Sequence, residues 1–208
     1  MFRIEKKYIF KKNKYYSIIN YLKQYKIKKL YPDRYIHSLY FDNTKYKLFF
    51  DTVEGIMPRK KIRLRKYYSS NMEKHFLTNH DLSHFEKSTF EEKKSTYFGR
   101  QKKTFKNNYK NIIKNGMFVS NIGYLKPVIE IYYKRSYFSI KNYRITIDTN
   151  IIFKNKIRSN YFSKDIVVEF KFNPNELINF DTIFPYSERT SSKYCNAVNM
   201  CIFNGRIF

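Results

Sequence analysis

Pro58-Arg59-Lys60-Lys61-Ile62-Arg63-Leu64-Arg65-Lys66-Tyr67 is the stretch whose reading decides the fold. With a period of two, Arg59, Lys61, Arg63 and Arg65 share one face of a strand, and Lys60, Ile62, Leu64 and Lys66 share the other. Consecutive cations on one face repel one another, and like charges directly across a sheet are destabilising. The row therefore calls for something strongly anionic lying against it. A basic face turned to solvent is the plain alternative, and the rest of the chain argues against it.

The same pattern recurs. Arg3/Glu5/Lys7, Glu91/Lys93, Arg144/Asp148 and Glu169/Lys171 are further charged sets at a spacing of two. Their opposite faces are often apolar: Ile62/Leu64, Ile145/Ile147 and Val168/Phe170/Phe172. An open sheet would turn the charge to water. A closed antiparallel barrel offers a second solution, with apolar faces outward under covering helices and charged faces lining a central tunnel. Buried charge of one sign is prohibitive, so the lining must mix signs and be completed by a ligand or ion. The carboxylates Glu5, Glu91, Glu169 and Asp148 suit a divalent cation with oxygen ligands, Mg²⁺ or Mn²⁺. The cations suit a row of phosphates, arginine being favoured for its fork of donors. There is no Gly-rich phosphate loop, which disfavours an ordinary nucleotide cradle.

Composition agrees. The chain has 208 residues with 42 Lys and Arg against 17 Asp and Glu, a formal net charge of +25. That length fits one domain, residues 1–208, and that charge implies a polyanionic partner: nucleic acid, an anionic membrane or an inorganic phosphate chain. The abundance of Lys, Asn, Ile, Tyr and Phe matches AT-rich coding, so arginine is the more telling cation. Met1 to Tyr8 has no apolar h-region, and no apolar run reaches the length of a membrane helix. Cys195 and Cys201 are too few for a disulfide framework or a zinc site, so two reduced cysteines and a cytoplasmic location are expected.

Periodicity predicts a strand over Arg3 to Phe10 and a helix over Asn13 to Tyr25 that Pro32-Asp33 terminates. A strand from Arg34 to Asp42, a short connection from Asn43 to Asp51 and a turn at Glu54-Gly55 lead into the basic strand, Arg59 to Tyr67. Ser69 to Lys87 reads as a polar loop. Its His75, His80 and His84 form a loose cluster, beside Asp81 and Glu86, with no accompanying cysteine. A strand from Ser88 to Ser95, a turn over Gly99 to Thr104 and a helix from Phe105 to Asn115 follow. Val128 to Phe138 and Tyr143 to Thr149 read as a hairpin turning at Lys141-Asn142. Asp165 to Phe172 is a strand and Ser191 to Phe203 a closing helix. Seven or eight strands with few helices make the fold mainly β (α+β).

Taken in order, Arg3-x-Glu5-x-Lys7-Tyr8, His37-Ser38-Leu39-Tyr40-Phe41-Asp42, Arg59-x-Lys61-x-Arg63-x-Arg65-x-Tyr67, Glu91-x-Lys93, Tyr132-Tyr133-x-Arg135, Arg144-Ile145-Thr146-Ile147-Asp148, Val168-Glu169-x-Lys171 and Ser191-Ser192-Lys193-Tyr194 cover nearly the whole chain. This series resembles the VTC domain, the polyphosphate polymerase branch of the CYTH-like triphosphate tunnel enzymes. The resemblance implies a tunnel of eight antiparallel strands that passes the terminal phosphate of ATP to growing polyphosphate with Mn²⁺ or Mg²⁺. It implies phosphate contacts from Lys7, Arg59, Lys61, Arg63, Arg65, Lys93, Arg135, Arg144 and Lys171, with Arg63, Arg65, Lys93 and Lys193 at the reacting phosphate. Glu169, with Glu5 and Glu91, would hold the metal. Glu5 and Glu91 orienting lysines is the alternative. Ser192 and Lys193 would close on the nucleotide or chain, and Tyr133 would line the wall.

Phosphoryl transfer of this kind needs no protein nucleophile, because a terminal polyphosphate oxygen is already ionised. With water as acceptor the same site would be a tripolyphosphatase or RNA 5′-triphosphatase, and a non-catalytic polyphosphate or nucleic-acid binding module is the third reading. A separate regulatory or membrane partner is compatible with all three.

Overall fold

The computed structural model describes residues 4–69, 89–96, 99–106, 109–155, 161–173, 184–189 and 192–206, with the side chains of 95–106 left aside. Arg3, Ser191 and the stretch carrying His75, His80, His84, Asp81 and Glu86 lie outside the described residues.

The elements in chain order are β1 (Ile4–Lys11), α1 (Tyr15–Lys23), β2 (Lys28–Asp42), α2 (Lys47–Val53), β3 (Arg59–Tyr68), β4 (Thr89–Thr96), β5 (Gly99–Lys106), α3 (Lys110–Asn115), β6 (Met117–Val119), β7 (Gly123–Ile140), β8 (Tyr143–Lys154), β9 (Tyr161–Phe162), β10 (Asp165–Phe172) and α4 (Lys193–Cys201). Eight strands form one antiparallel path, β1-β10-β8-β7-β2-β3-β4-β5, with β6 and β9 as short additions on β7 and β8.

The expected closed eight-stranded barrel is found as an eight-stranded path without closure. Among the described residues no backbone ladder joins β1 to β5. The sheet is nevertheless rolled. Laid flat, the six interstrand steps between β1 and β4 would separate them by about 29 Å. Instead Lys93 on β4 donates to both carboxylate oxygens of Glu5 on β1, at 3.2 and 3.0 Å. The charged faces therefore look at one another across the interior.

Alternation sorts the side chains as period two requires. Ile145 and Ile147 of β8 and Val168 and Phe170 of β10 turn outward and pack under α1, whose Ile18 and Leu22, four residues apart, face them. Full burial of each such side chain contributes about 1.5–3 kcal/mol. A second cluster unites Leu39, Phe41, Ile62 and Leu64 with Phe49 of α2 and Val198 of α4.

Several local expectations are corrected. Pro32-Asp33 does not end an element: β2 starts at Lys28 and runs through it, with ladder shifts on either side of Tyr31 that leave Pro32 without a backbone partner to supply. The connection from Asn43 to Asp51 contains α2. The stretch from Gly99 is a strand, β5, paired along its length with β4, and the helix that follows covers only Lys110–Asn115. That helix stops at Gly116, at φ +88°, where a Cβ would collide with the Leu125 carbonyl. Among the described residues no helix is long and apolar enough to cross a membrane.

Candidate active site

Among the described residues, the interior face gathers seven cations in contact with four carboxylates, and Lys61 beside them in contact with Ser192. Three groups can be distinguished.

The first belongs to β3. Arg63 donates through Nε to Glu91 Oε2 at 2.7 Å and through a terminal nitrogen to the Tyr40 hydroxyl at 2.6 Å. Arg65 donates through Nε to Ser38 Oγ at 3.0 Å and lies 3.6 Å from Glu91. Ser38 and Tyr40 are the β2 residues directly across from Arg65 and Arg63. Their spacing of two, inside His37-Ser38-Leu39-Tyr40-Phe41-Asp42, was the available signal for a role the sequence reading did not assign. Burial, and for Arg63 the adjacent Arg65, works against each guanidinium's charge. The surrounding phenols and Glu91 nonetheless hold both pKa values above that of ordinary arginine. The same arginines pull the Tyr40 phenol below its usual value although burial opposes it. Lys61, one step along the row, donates to Ser192 Oγ at 2.7 Å. Arg59 begins the strand opposite Ser95.

Asp148 on β8 organises the second group. It is fully buried and accepts a two-pronged contact from Arg135, Nε at 2.6 Å and a terminal nitrogen at 2.7 Å, and a third bond from Lys193 Nζ at 2.5 Å. Burial pushes its pKa up, but Arg135 first and Lys193 next bring it below the ordinary value. Both cations lie over the ring of Tyr133, at 5.2 and 5.0 Å.

The third group is Glu5 and Glu169, which share Lys171 at 3.4 and 2.8 Å. Lys93 completes Glu5 at 3.0 Å, and Lys7 stands 3.7 Å from Glu169. Burial opposes ionisation of Glu169, but Lys171, Lys7, Arg135 and Lys93 together hold its pKa well below the ordinary carboxylate value. Glu91 is on the arginine side and does not join this pair. Among the described residues no group of three or more His, Cys, Asp or Glu is arranged to hold a metal. Arg144 is exposed, its guanidinium over Tyr137 at 5.8 Å, apart from the buried contacts.

Helix α4 delivers Lys193 and Ser192. Ser192 is its N-cap, accepting from Cys195 N at 3.2 Å, and satisfies a backbone donor that the first turn leaves open. Next to it Tyr194 stacks on Tyr40, ring centroids 5.0 Å apart, and donates to Asp42 at 2.5 Å. Asp42 also accepts from Leu48 N and Phe49 N, each at 3.0 Å, so one buried carboxylate both starts α2 and anchors α4.

The site is thus the inner face of a rolled antiparallel sheet, apolar outside under helices and lined inside by cations interleaved with carboxylates. The model of the VTC domain matches residues 2–202, and the chain belongs to that family. No curated protein matches the sequence. Among solved structures, it is similar to a candidate adenylate cyclase from Vibrio parahaemolyticus, with 14% identity, TM-score 0.54, and 96% of this chain and 98% of that one covered. A candidate adenylyl cyclase from Hippeastrum, described as having a dominant triphosphatase activity, matches with 11% identity and TM-score 0.54, covering 100% and 98%. The Schizosaccharomyces pombe Mediator head module matches at 11% identity and TM-score 0.51, covering 98% and 96%. These likenesses establish the fold, which hosts more than one function.

Proposed function

We propose that the chain passes the terminal phosphate of ATP to a growing inorganic polyphosphate on the interior face of the rolled sheet. The supporting observation is that face itself: among the described residues, eight cations and four carboxylates leave a positive excess in a buried setting, in a chain of the VTC family. In this reading β1 and β5 form the seam of a tunnel. Arg63, Arg65, Lys93 and Lys193 bind the transferring phosphate. Lys7, Arg59, Lys61, Arg135, Arg144, Lys171, Ser192 and Tyr133 hold the phosphates on either side.

Lys7, Lys61, Arg63, Arg65, Lys93, Arg135, Lys171 and Lys193 each already have an interior partner that fixes their direction, so little reorganisation is needed when phosphates arrive. The acceptor oxygen is ionised, and the residues' task is to hold donor and acceptor in line and absorb charge on the transferring group. Glu5 and Glu169 fit a hard divalent cation: two carboxylates with substrate phosphates and water are an ordinary Mg²⁺ donor set, and Mn²⁺ accepts the same oxygen donors. When bound, the ion neutralises and orients the donor phosphates. Glu91 holds Arg63 and Arg65 in place.

The second reading is a triphosphatase, in which water takes the acceptor's place. The activity described for the Hippeastrum protein favours it. Incubating the purified chain with ATP and Mn²⁺ and resolving products by size decides between them. A ladder with ADP supports the polymerase, and orthophosphate without a ladder supports the hydrolase. No turnover of ATP, tripolyphosphate or RNA 5′-triphosphate overturns both.

A further inference from the structure

Thr146 lies at the centre of the interior face without an assigned task. It sits on β8 between Arg144 and Asp148, opposite Glu169 of β10 on one side and Tyr137 of β7 on the other. Its neighbours Ile145 and Ile147 point into the outer core, so alternation turns Thr146 inward. The residue is 2% exposed, and its Oγ1 has no hydrogen-bond partner among the described residues.

Burying a hydroxyl without a partner is unfavourable, and such groups are rare in native interiors. Valine has the same shape, an equal or better fit to a strand and no orphaned oxygen. The surroundings indicate what would satisfy the hydroxyl. Glu169 is engaged by Lys171 and Lys7, and Asp148 by Arg135 and Lys193. An anion drawn to those cations presents acceptor oxygens, and a hydroxyl is a donor.

We infer that Thr146 is a phosphate-binding residue whose hydroxyl donates to a phosphoryl oxygen held between the Glu169 and Arg135 levels of the interior. The inference rests on the reading that a phosphate chain occupies this face. It adds a further neutral side chain to Ser192 and Tyr133, at a level where the named partners are otherwise charged and where donor direction rather than net charge selects the ligand's oxygen.

The test compares wild type, Thr146→Val and Thr146→Ser. Thermal unfolding is measured without ligand, and tripolyphosphate binding by calorimetry in EDTA, so that no metal-held water substitutes for the contact. Thr146→Val should unfold about 2–4 °C higher, because the orphaned hydroxyl is gone. It should also bind tripolyphosphate roughly tenfold more weakly. Thr146→Ser should restore most of that affinity. A hydroxyl with only a structural role predicts the reverse pattern for valine: lower unfolding temperature and unchanged affinity. Unchanged affinity in Thr146→Val while wild type binds overturns this inference alone, as does a loss that serine does not repair. Failure of wild type to bind tripolyphosphate both in EDTA and with Mn²⁺ present overturns the functional reading and this inference with it.

Discussion

Replacing Asp148 by Asn is the most demanding test of the interior's charge balance. The carboxylate is fully buried and accepts three hydrogen bonds, two from Arg135 and one from Lys193. Asn keeps the shape but loses the charge, and it turns an NH₂ group towards one of two cationic donors. Removing one partner of a buried ion pair costs about 3–5 kcal/mol, because the surviving charge stays desolvated. For a chain of 208 residues that corresponds to a fall in Tm of roughly 6–20 °C. A phosphate chain should repair the defect by supplying the missing negative charge. Tripolyphosphate at 100 times its Kd stabilises any binding-competent fold by about 2.7 kcal/mol. The variant should bind more tightly than wild type, since the phosphate no longer competes with Asp148 for Arg135 and Lys193, and so should gain more. The assay is thermal unfolding of both proteins across a tripolyphosphate titration. A ligand-free loss below about 1 kcal/mol, or the same ligand-induced shift in both proteins, would refute the reasoning.

Glu169→Gln should abolish metal-dependent turnover while tripolyphosphate binding in EDTA persists or tightens; undiminished turnover would remove Glu169 from the metal site. Arg65→Ala should weaken triphosphate binding by about 1.5–3 kcal/mol, the scale of a charge-assisted hydrogen bond, and a calorimetric change near zero would place the basic row away from the ligand. Glu169 and Asp148 both have folded pKa values below their unfolded ones. Their contribution to stability is therefore complete above the unfolded values, roughly 3.9 for Asp and 4.3 for Glu, and is lost as pH falls towards the folded ones. Denaturation between pH 6 and pH 3 should thus show a shallower acid loss for Glu169→Gln than for wild type, and parallel curves would contradict the assignment.

The strand faces were legible because period-two alternation is local. Arg63 and Arg65 inside and Ile62 and Leu64 outside follow from the order of residues alone. What escaped depends on partners distant in sequence. Helix α2 has no capping side chain of its own: its N-cap, Tyr46, is left-handed at φ +53°, and Asp42 caps the helix from the end of β2. A rule that looks for a cap just before the first turn cannot find it. β5 was lost because Gly99 and the lysines after it resemble a turn, and only pairing with β4 makes them a strand. Pro32 read as a stop because its ladder shifts are set by β7. At the site, residue types were visible but groupings were not. Glu5, Glu91 and Glu169 look alike in sequence, and only the roll of the sheet divides them into a pair sharing Lys171 and a third beside the arginines.

A contact between β1 and β4 uses Lys93 and Glu5, and among the described residues no ladder of backbone bonds joins β1 to β5 to close a complete barrel. A ladder is indifferent to what lies inside the cylinder, whereas this clasp is fastened by a cation that the proposed function also assigns to substrate. A phosphate that draws Lys93 towards itself takes it from Glu5. Under that proposal, gripping the polymer and fastening the wall around it are one equilibrium, and a change in the first registers in the second.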